Sequence, residues 1–159
     1  MIFKNSSTPE IDYTLEDVIG EVLKFIEIEP DQHYRLIVGT DSLYRSRGTV
    51  FATVIVCHRV GKAARFWYTK RKEDFVMNLY VRIMKEAEDS IQIMKEIYDS
   101  EIIFHIKEED MEIHIDAGEN GDSIRVMKDC MGYVRGSGYN CQSKPDSIIA
   151  THCADRITK

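Results

Sequence analysis

The sequence predicts an α/β protein: a mixed five-stranded sheet, three antiparallel strands then two parallel ones, flanked by helices and preceded by an extra N-terminal helix. Three observations predict it. Residues Arg35–Asp41, Thr49–Val60 and Arg65–Lys70 are runs rich in β-branched and aromatic residues joined by short connections, the pattern of an antiparallel meander. After them helical and strand periodicities alternate, which builds a sheet covered by helices. Two of the apolar runs, LIVGTDS and EIHIDAG, close on an aspartate, Asp41 and Asp116.

Taken in order, Thr14 reads as the N-cap of a first helix with Asp17 in its first turn, and Leu15, Val18, Ile19, Val22, Leu23 and Ile26 follow at helical spacing up to Pro30. Leu36–Val38 is too short for a helix and suits a buried strand, with Asp41 expected at its end. Leu43–Gly48 is a charged connection, and Gly61–Lys62 turns the second strand into the third. From about Phe75 to Tyr98, Val76, Leu79, Ile83, Ala87, Met94 and Ile97 form one helical stripe. Met111–Ala117 alternates as a strand, Gly118–Gly121 is a turn, and a helix from Asp122 or Ser123 ends at Gly136 and Gly138. Tyr139–Ser143 is a short strand, and Asp146 or Ser147 caps a last helix running through Ile157.

A chain of 159 residues, 43% apolar and 30% charged, is expected to be one globular domain, with residues 1–33 as a helical extension packed on residues 34–159. No stretch is long and apolar enough to span a membrane, and MIFKNSSTPE lacks the apolar run of a signal peptide. The four cysteines, Cys57, Cys130, Cys141 and Cys153, have neither zinc-ligand spacing nor the density of a disulfide scaffold, so a reducing cytoplasm is the expected location. The net charge of −6 argues against bulk nucleic-acid binding, but its distribution is uneven: between Arg35 and Lys72 stand nine bases and one acid, Asp41. That segment reads either as a polyanion path or as the solvated dressing of hairpins.

The chemistry-bearing residues are acids. A carboxylate at the end of a buried strand is costly unless it is hydrogen-bonded, paired or bound to metal; the alternative for Asp41–Ser42 is a plain turn. If the two aspartate-ended strands are parallel neighbours, Asp41 and Asp116 lie side by side at the carboxyl edge, where open α/β sheets place their sites. Their repulsion calls for a divalent cation, and a hard oxygen site suits Mg²⁺ or Mn²⁺. At about 100° per residue, Glu86 falls roughly 60° from the Ile83 stripe and can reach the sheet edge, whereas Glu88 falls roughly 140° round and faces solvent. In the last helix Asp155 follows the small Ala154, with His152 one turn earlier on nearly the same face.

Other residues carry two readings each. Ser42, Arg45, Arg47 and Lys144 could contact a phosphate backbone or simply occupy turns and surface. His114 shares a strand face with Asp116 and could relay a proton or be packed and hydrogen-bonded. Trp67 and Tyr68 could stack bases, with cross-strand or core packing as the alternative. Gly118–Ser123 could hold an anion at a helix start, but such a stretch is more often an Asn-Gly turn with an N-cap, and it lacks the Walker lysine.

The element order, with acids on the first strand, the following helix, the fourth strand and the last helix, resembles the ribonuclease H-like superfamily. More closely, GTDS, HIDAG with NGDS, then KPDS and ADRITK are similar to the YkuK-like family within it, from Arg35 onward. The resemblance implies the three-layer ribonuclease H-like fold and maps its four acids to Asp41, Glu86, Asp116 and Asp155. ADR is similar to the corresponding motif of RuvC-like resolvases, although an aspartate of theirs is replaced here by His152. It implies a metal-dependent nuclease acting on RNA, DNA or a hybrid, two Mg²⁺ or Mn²⁺ ions about 3.5–4 Å apart sharing Asp41, and a proton relay in His152 or His114. It leaves open a monomer or a homodimer. A catalytically degenerate nucleic-acid or protein-binding module of the same fold is the alternative, and a small-molecule phosphatase a third.

Overall fold

The computed structural model describes residues 1–45, 48–75, 77–116 and 121–143, and the side chains of residues 45 and 121–123 fall outside that description. Its strands are β1 (Phe3–Asn5), β2 (Thr8–Tyr13), β3 (Tyr34–Arg45), β4 (Gly48–Arg59), β5 (Ala63–Glu73), β6 (Met111–Ile115) and β7 (Asn140–Ser143). The helices are α1 (Leu15–Ile28), α2 (Leu79–Tyr98) and α3 (Gly121–Gly136), with short 3-10 turns at Glu101–Phe104 and Glu108–Asp110. The last predicted helix lies outside the described residues.

One seven-stranded sheet runs in the order β2-β1-β5-β4-β3-β6-β7. The expected five strands form its centre and one flank: β3, β4 and β5 are an antiparallel meander, while β6 and β7 join β3 in parallel. The pattern of three antiparallel strands followed by two parallel ones therefore holds. The sheet is larger than predicted because the first thirteen residues contribute β1 and β2, which extend it beyond β5. Phe3 in β1 is fully buried, but β2 (TPEIDY) is a mostly exposed edge strand with Pro9 and acids along it. Such residues blunt an edge against pairing with other chains and also erase the apolar alternation that would announce a strand.

β3 also differs from expectation. It does not stop at Asp41 but stays paired with β4 as far as Arg45↔Gly48. Its parallel ladder with β6, however, covers only Leu36–Gly39. Asp41 thus lies just past the strand's end on the β6 side and within it on the β4 side. Gly48 makes the return possible: its φ is +128°, and a Cβ there would collide with the Glu73 carbonyl of β5.

Helix starts follow local chemistry. The Thr14 hydroxyl accepts from the Asp17 N–H, and the Thr14 N–H donates back to Asp17 at 2.8 Å, a reciprocal cap for α1. α2 begins at Leu79 rather than near Phe75, because the Asn78 side chain accepts from the Val81 N–H at 2.9 Å.

Strand alternation divides the sheet into two faces. Leu36, Val38, Ile55, Trp67, Ile113 and Cys141 face the helical layer and share one core with residues of α1, α2 and α3. Trp67 is therefore a core residue. Ile37, Val54 and Val56, with Phe66 and Tyr68 against them, form a separate cluster on the other face. The core ties α1 to the sheet through Arg59, whose buried guanidinium stands 4.3 Å from the centre of the Phe25 ring and donates to the Tyr34 hydroxyl and the Phe25 carbonyl. Among the described residues no helix is long and apolar enough to cross a membrane.

Candidate carboxylate site

The parallel register builds the site. Gly39 of β3 pairs with His114 of β6, and two residues further on each strand stand Asp41 and Asp116. The two aspartates are therefore at one level on adjacent strands, just past the end of the ladder that holds them together. Both are partly exposed.

Glu86 comes from α2. Its helical angle places it at the border of the packed face, and it is only 5% exposed, whereas Glu88 is exposed as expected. The Ser42 hydroxyl, one residue past Asp41, donates to Glu86 Oε1. Next to it runs a chain of hydroxyls on the same face: Thr40 is 2.9 Å from both Thr53 of β4 and Ser90 of α2, and Ser90 also donates to the Glu86 carbonyl. These contacts fix the height of α2 over β3, and with it the position of Glu86. Replacing Ser90 by Ala is expected to lower stability by about 1 kcal/mol, seen as a lower urea midpoint with an unchanged slope. A loss of metal binding without a stability change would contradict this purely positional role.

Burial pushes the Glu86 carboxyl up to about 8; the Ser42 hydrogen bond and the Arg82 charge oppose this, while the negative charges of Asp41 and Asp116 add to it. Glu86 is therefore protonated at neutral pH in the absence of a cation, and it feels both strand aspartates. Arg82, one turn before Glu86, is the nearby cation that the sequence pattern did not single out; no periodicity marks it. Among the described residues no three His, Cys, Asp or Glu side chains stand close enough to one another to hold a metal ion. The fourth predicted acid, Asp155, lies outside the described residues, as do His152, Lys144 and Arg47; Arg45 is described in its backbone alone.

A second polar group lies two residues before Asp116. Glu112 of β6 accepts two hydrogen bonds of 2.7 Å from Arg35 Nη2 and stands 2.9 Å from His114 Nε2. Burial pushes its carboxyl up, but hydrogen bonds from His114 and Arg35, with the Arg35 charge, outweigh that and hold it below the usual carboxylate range. An ionised carboxylate only accepts, so the His114 Nε2–H donates to it, leaving Nδ1 as the ring's other polar atom. That Nδ1 is buried without a hydrogen-bond partner. His114 is thus packed and hydrogen-bonded, the plainer of its two readings.

The base-rich segment is largely committed to internal pairs. Arg35 meets Glu112, Arg59 and Lys62 meet Glu29, Arg71 meets Glu73 and Asp89, and Lys72 meets Asp74. These pairs support the reading of that charge as dressing of the hairpins. Burial pushes the Cys57 and Cys130 thiols up to about 12 and Cys141 to about 11, which makes them inert core residues.

Comparison with known proteins places this architecture. A family model described as Ribonuclease H-like matches residues 17–159. The chain is 28% identical to the uncharacterized protein YkuK of Bacillus subtilis (strain 168), over 99% of this chain and 97% of that protein. No solved structure matches. With the meander, the two parallel strands and the acid-bearing strand ends all in place, the chain is a YkuK-like member of the ribonuclease H-like family.

Proposed function

We propose that the protein is a divalent-cation-dependent phosphodiester hydrolase acting on nucleic acid, with Asp41, Glu86 and Asp116 at its centre. Membership of the ribonuclease H-like family supports a nucleic-acid-related role. The observation that carries the reading is the register-matched pair Asp41 and Asp116 beside a buried Glu86 whose proton their charges help to retain. An array of acids that repel one another, one of them kept neutral first by burial and then by its neighbours' charges, has the chemistry of a divalent-cation site. The donor set is all carboxylate oxygen, which suits Mg²⁺ or Mn²⁺. Asp155 would join them as the fourth acid on the strength of the family resemblance.

A bound Mg²⁺ or Mn²⁺ would supply Lewis acidity toward a phosphodiester and lower the pKa of its water. The residues of the chain do the rest. Asp41 on β3 and Asp116, one residue past β6, would provide carboxylate oxygens. Glu86 would have to lose its proton to serve as a ligand, so binding would release a proton and tighten as pH rises. Ser42 holds Glu86 in orientation through the hydroxyl bond.

A second reading, a nucleic-acid or protein-binding module that no longer cleaves, is favoured by one observation: the described acids do not close on a single metal position. Calorimetric titration of Mn²⁺ into the wild type and Asp41→Asn, followed by incubation with RNA, DNA and hybrid substrates, separates the two. The hydrolase predicts binding and cleavage in the wild type and loss of both in Asp41→Asn. Equal weak binding in both proteins, with every nucleic acid intact, would overturn it. Binding lost in the variant but no cleavage by the wild type would favour the module, and hydrolysis of mononucleotides alone would favour a small-molecule phosphatase.

A further inference from the structure

Two contacts register α2 against β3. Thr40 meets Ser90 and Ser42 meets Glu86, so each two-residue step along β3 is matched by about one turn back along α2. The steps are of similar length, about 7 Å on the strand and about 6 Å on the helix. One further step outward from the carboxylates brings Tyr44 of β3 level with Arg82 of α2. Alternation puts Tyr44 on the same sheet face as Thr40 and Ser42. Arg82, four residues before Glu86, keeps to the same flank of the helix.

Neither side chain is taken up by the fold. Tyr44 is 49% exposed. Arg82 is half-buried and its charge reaches the Glu86 carboxyl. Unlike Arg35, Arg59 and Arg71, however, it forms no ion pair among the described residues, and its Nε has no hydrogen-bond partner there. A second ring belongs to the same edge: Thr49, directly opposite Tyr44 in the β3–β4 ladder, donates to the Phe75 carbonyl at 3.4 Å, and Phe75 is 57% exposed. An uncommitted guanidinium level with an exposed ring combines the charge and the π-face with which proteins hold a nucleic-acid strand.

We propose that Arg82 and Tyr44 form a subsite for single-stranded nucleic acid beside the carboxylate centre, the guanidinium taking a backbone phosphate and the tyrosine ring stacking the adjacent base. The subsite rests on the hydrolase reading for the place of the bond to be cut, but its binding does not require cleavage. The ring selects strandedness. Inside a duplex both faces of a base are covered by its neighbours, so only an unpaired, unstacked base offers a face to Tyr44. The guanidinium selects the phosphate, since its planar fork of donors matches phosphate oxygens.

Fluorescence anisotropy with a short labelled single strand, as DNA and as RNA, and with the matching blunt duplex tests this; a chelator keeps every strand intact. The wild type is expected to bind the single strand about tenfold or more tighter than the duplex, the worth of one stacked base. Tyr44→Ala should remove that advantage and Tyr44→Phe keep it, because stacking needs the ring and not the hydroxyl. Arg82→Gln should weaken the single strand and flatten the slope of log K against log salt by about 0.7, the share of one phosphate. Arg82→Lys should keep the slope, and Tyr44→Ala should leave it unchanged. A merely structural role moves neither the strand preference nor the slope, and thermal melting of each variant checks the fold. A duplex bound as tightly as the single strand, no binding of either form, or binding and slope unchanged in Tyr44→Ala and Arg82→Gln would overturn the subsite. The hydrolase fails separately: if both variants lose the single strand while the wild type with Mn²⁺ cuts nothing, the subsite stands and the hydrolase falls. If the wild type cuts with Mn²⁺ and both variants keep its KM, the hydrolase stands and the subsite falls.

Discussion

Glu86→Gln is expected to make the metal-free protein more stable at pH 8 and above, and to remove most of the stability change that the wild type shows between pH 5 and 8. The sign follows from linkage. Glu86 has an ordinary pKa of 4.5 in the unfolded chain and about 8 in the fold, because burial and the charges of Asp41 and Asp116 disfavour its ionised form. A group with a raised folded pKa contributes stability that is complete below pH 4.5 and is lost as pH rises through 8. The gap between those values corresponds to an effect on the order of 4–5 kcal/mol, an upper figure because side chains and water relax around an ionised buried group. Glutamine keeps the shape, still accepts from the Ser42 hydroxyl and never ionises. Thermal melts at pH 5, 7 and 9 in the presence of a chelator would therefore show a falling wild-type midpoint and a nearly level variant, separated at pH 9 by several degrees or more. Parallel curves would mean that Glu86 does not hold its proton into the neutral range. A cation bound at the site would reverse the wild-type loss: at a hundred times its dissociation constant it adds about 2.7 kcal/mol. Mn²⁺ should thus rescue the wild type at pH 8 and leave Asp41→Asn unchanged.

Much of this arrangement was legible beforehand. The central five strands announced themselves through β-branched runs and helical alternation, and Glu86 could be separated from Glu88 by helix angle alone. Asp41 and Asp116 could be paired because parallel neighbours bring strand ends to one level. What escaped depended on partners distant in sequence. β1 and β2 carry too few apolar residues to signal strands; β1 is held by pairing to β5, more than fifty residues on, and β2 by pairing to β1. The length of β3 past Asp41 comes from its ladder with β4, which the mixed sequence SLYR does not reveal. All five residues of β6 are buried because the strand lies inside the sheet with both faces covered, so Glu112 and His114 find their partners inside the protein, where no local pattern names Arg35 as one of them. The Ser42–Glu86 bond joins residues 44 apart, and no local pattern encodes it.

The buried Glu112 is the clearest product of that hidden geometry, and Glu112→Gln is expected to destabilise the protein at pH 7 by about 2–4 kcal/mol. The carboxylate is 6% exposed and receives two hydrogen bonds from Arg35 and one from His114, which is itself 2% exposed. An amide can accept from one of these donors but turns an N–H toward the other, and it leaves the Arg35 charge without a counter-ion. Arg35→Gln should cost a comparable amount, while the double variant should cost less than the two together, since the second change removes a group already stranded by the first. Additive costs in that cycle, or a Glu112→Gln effect within about 0.5 kcal/mol of zero, would show that the network holds little stability. The pH dependence is opposite to that of Glu86. The folded pKa of Glu112 lies below its ordinary 4.5, so its contribution is present above pH 4.5 and is lost as pH falls through the lower folded value. In the wild type Glu112 therefore contributes to the acid limb and Glu86 to the neutral-to-alkaline limb. Glu112→Gln should flatten the first limb and leave the second, Glu86→Gln the reverse. Because Glu112, His114 and Asp116 alternate along one five-residue stretch beside β3, the network that gives the acid limb also fixes the register that brings Asp116 level with Asp41. A Glu112 variant that remains folded should then bind Mn²⁺ more weakly, although no atom of Glu112 need touch the ion.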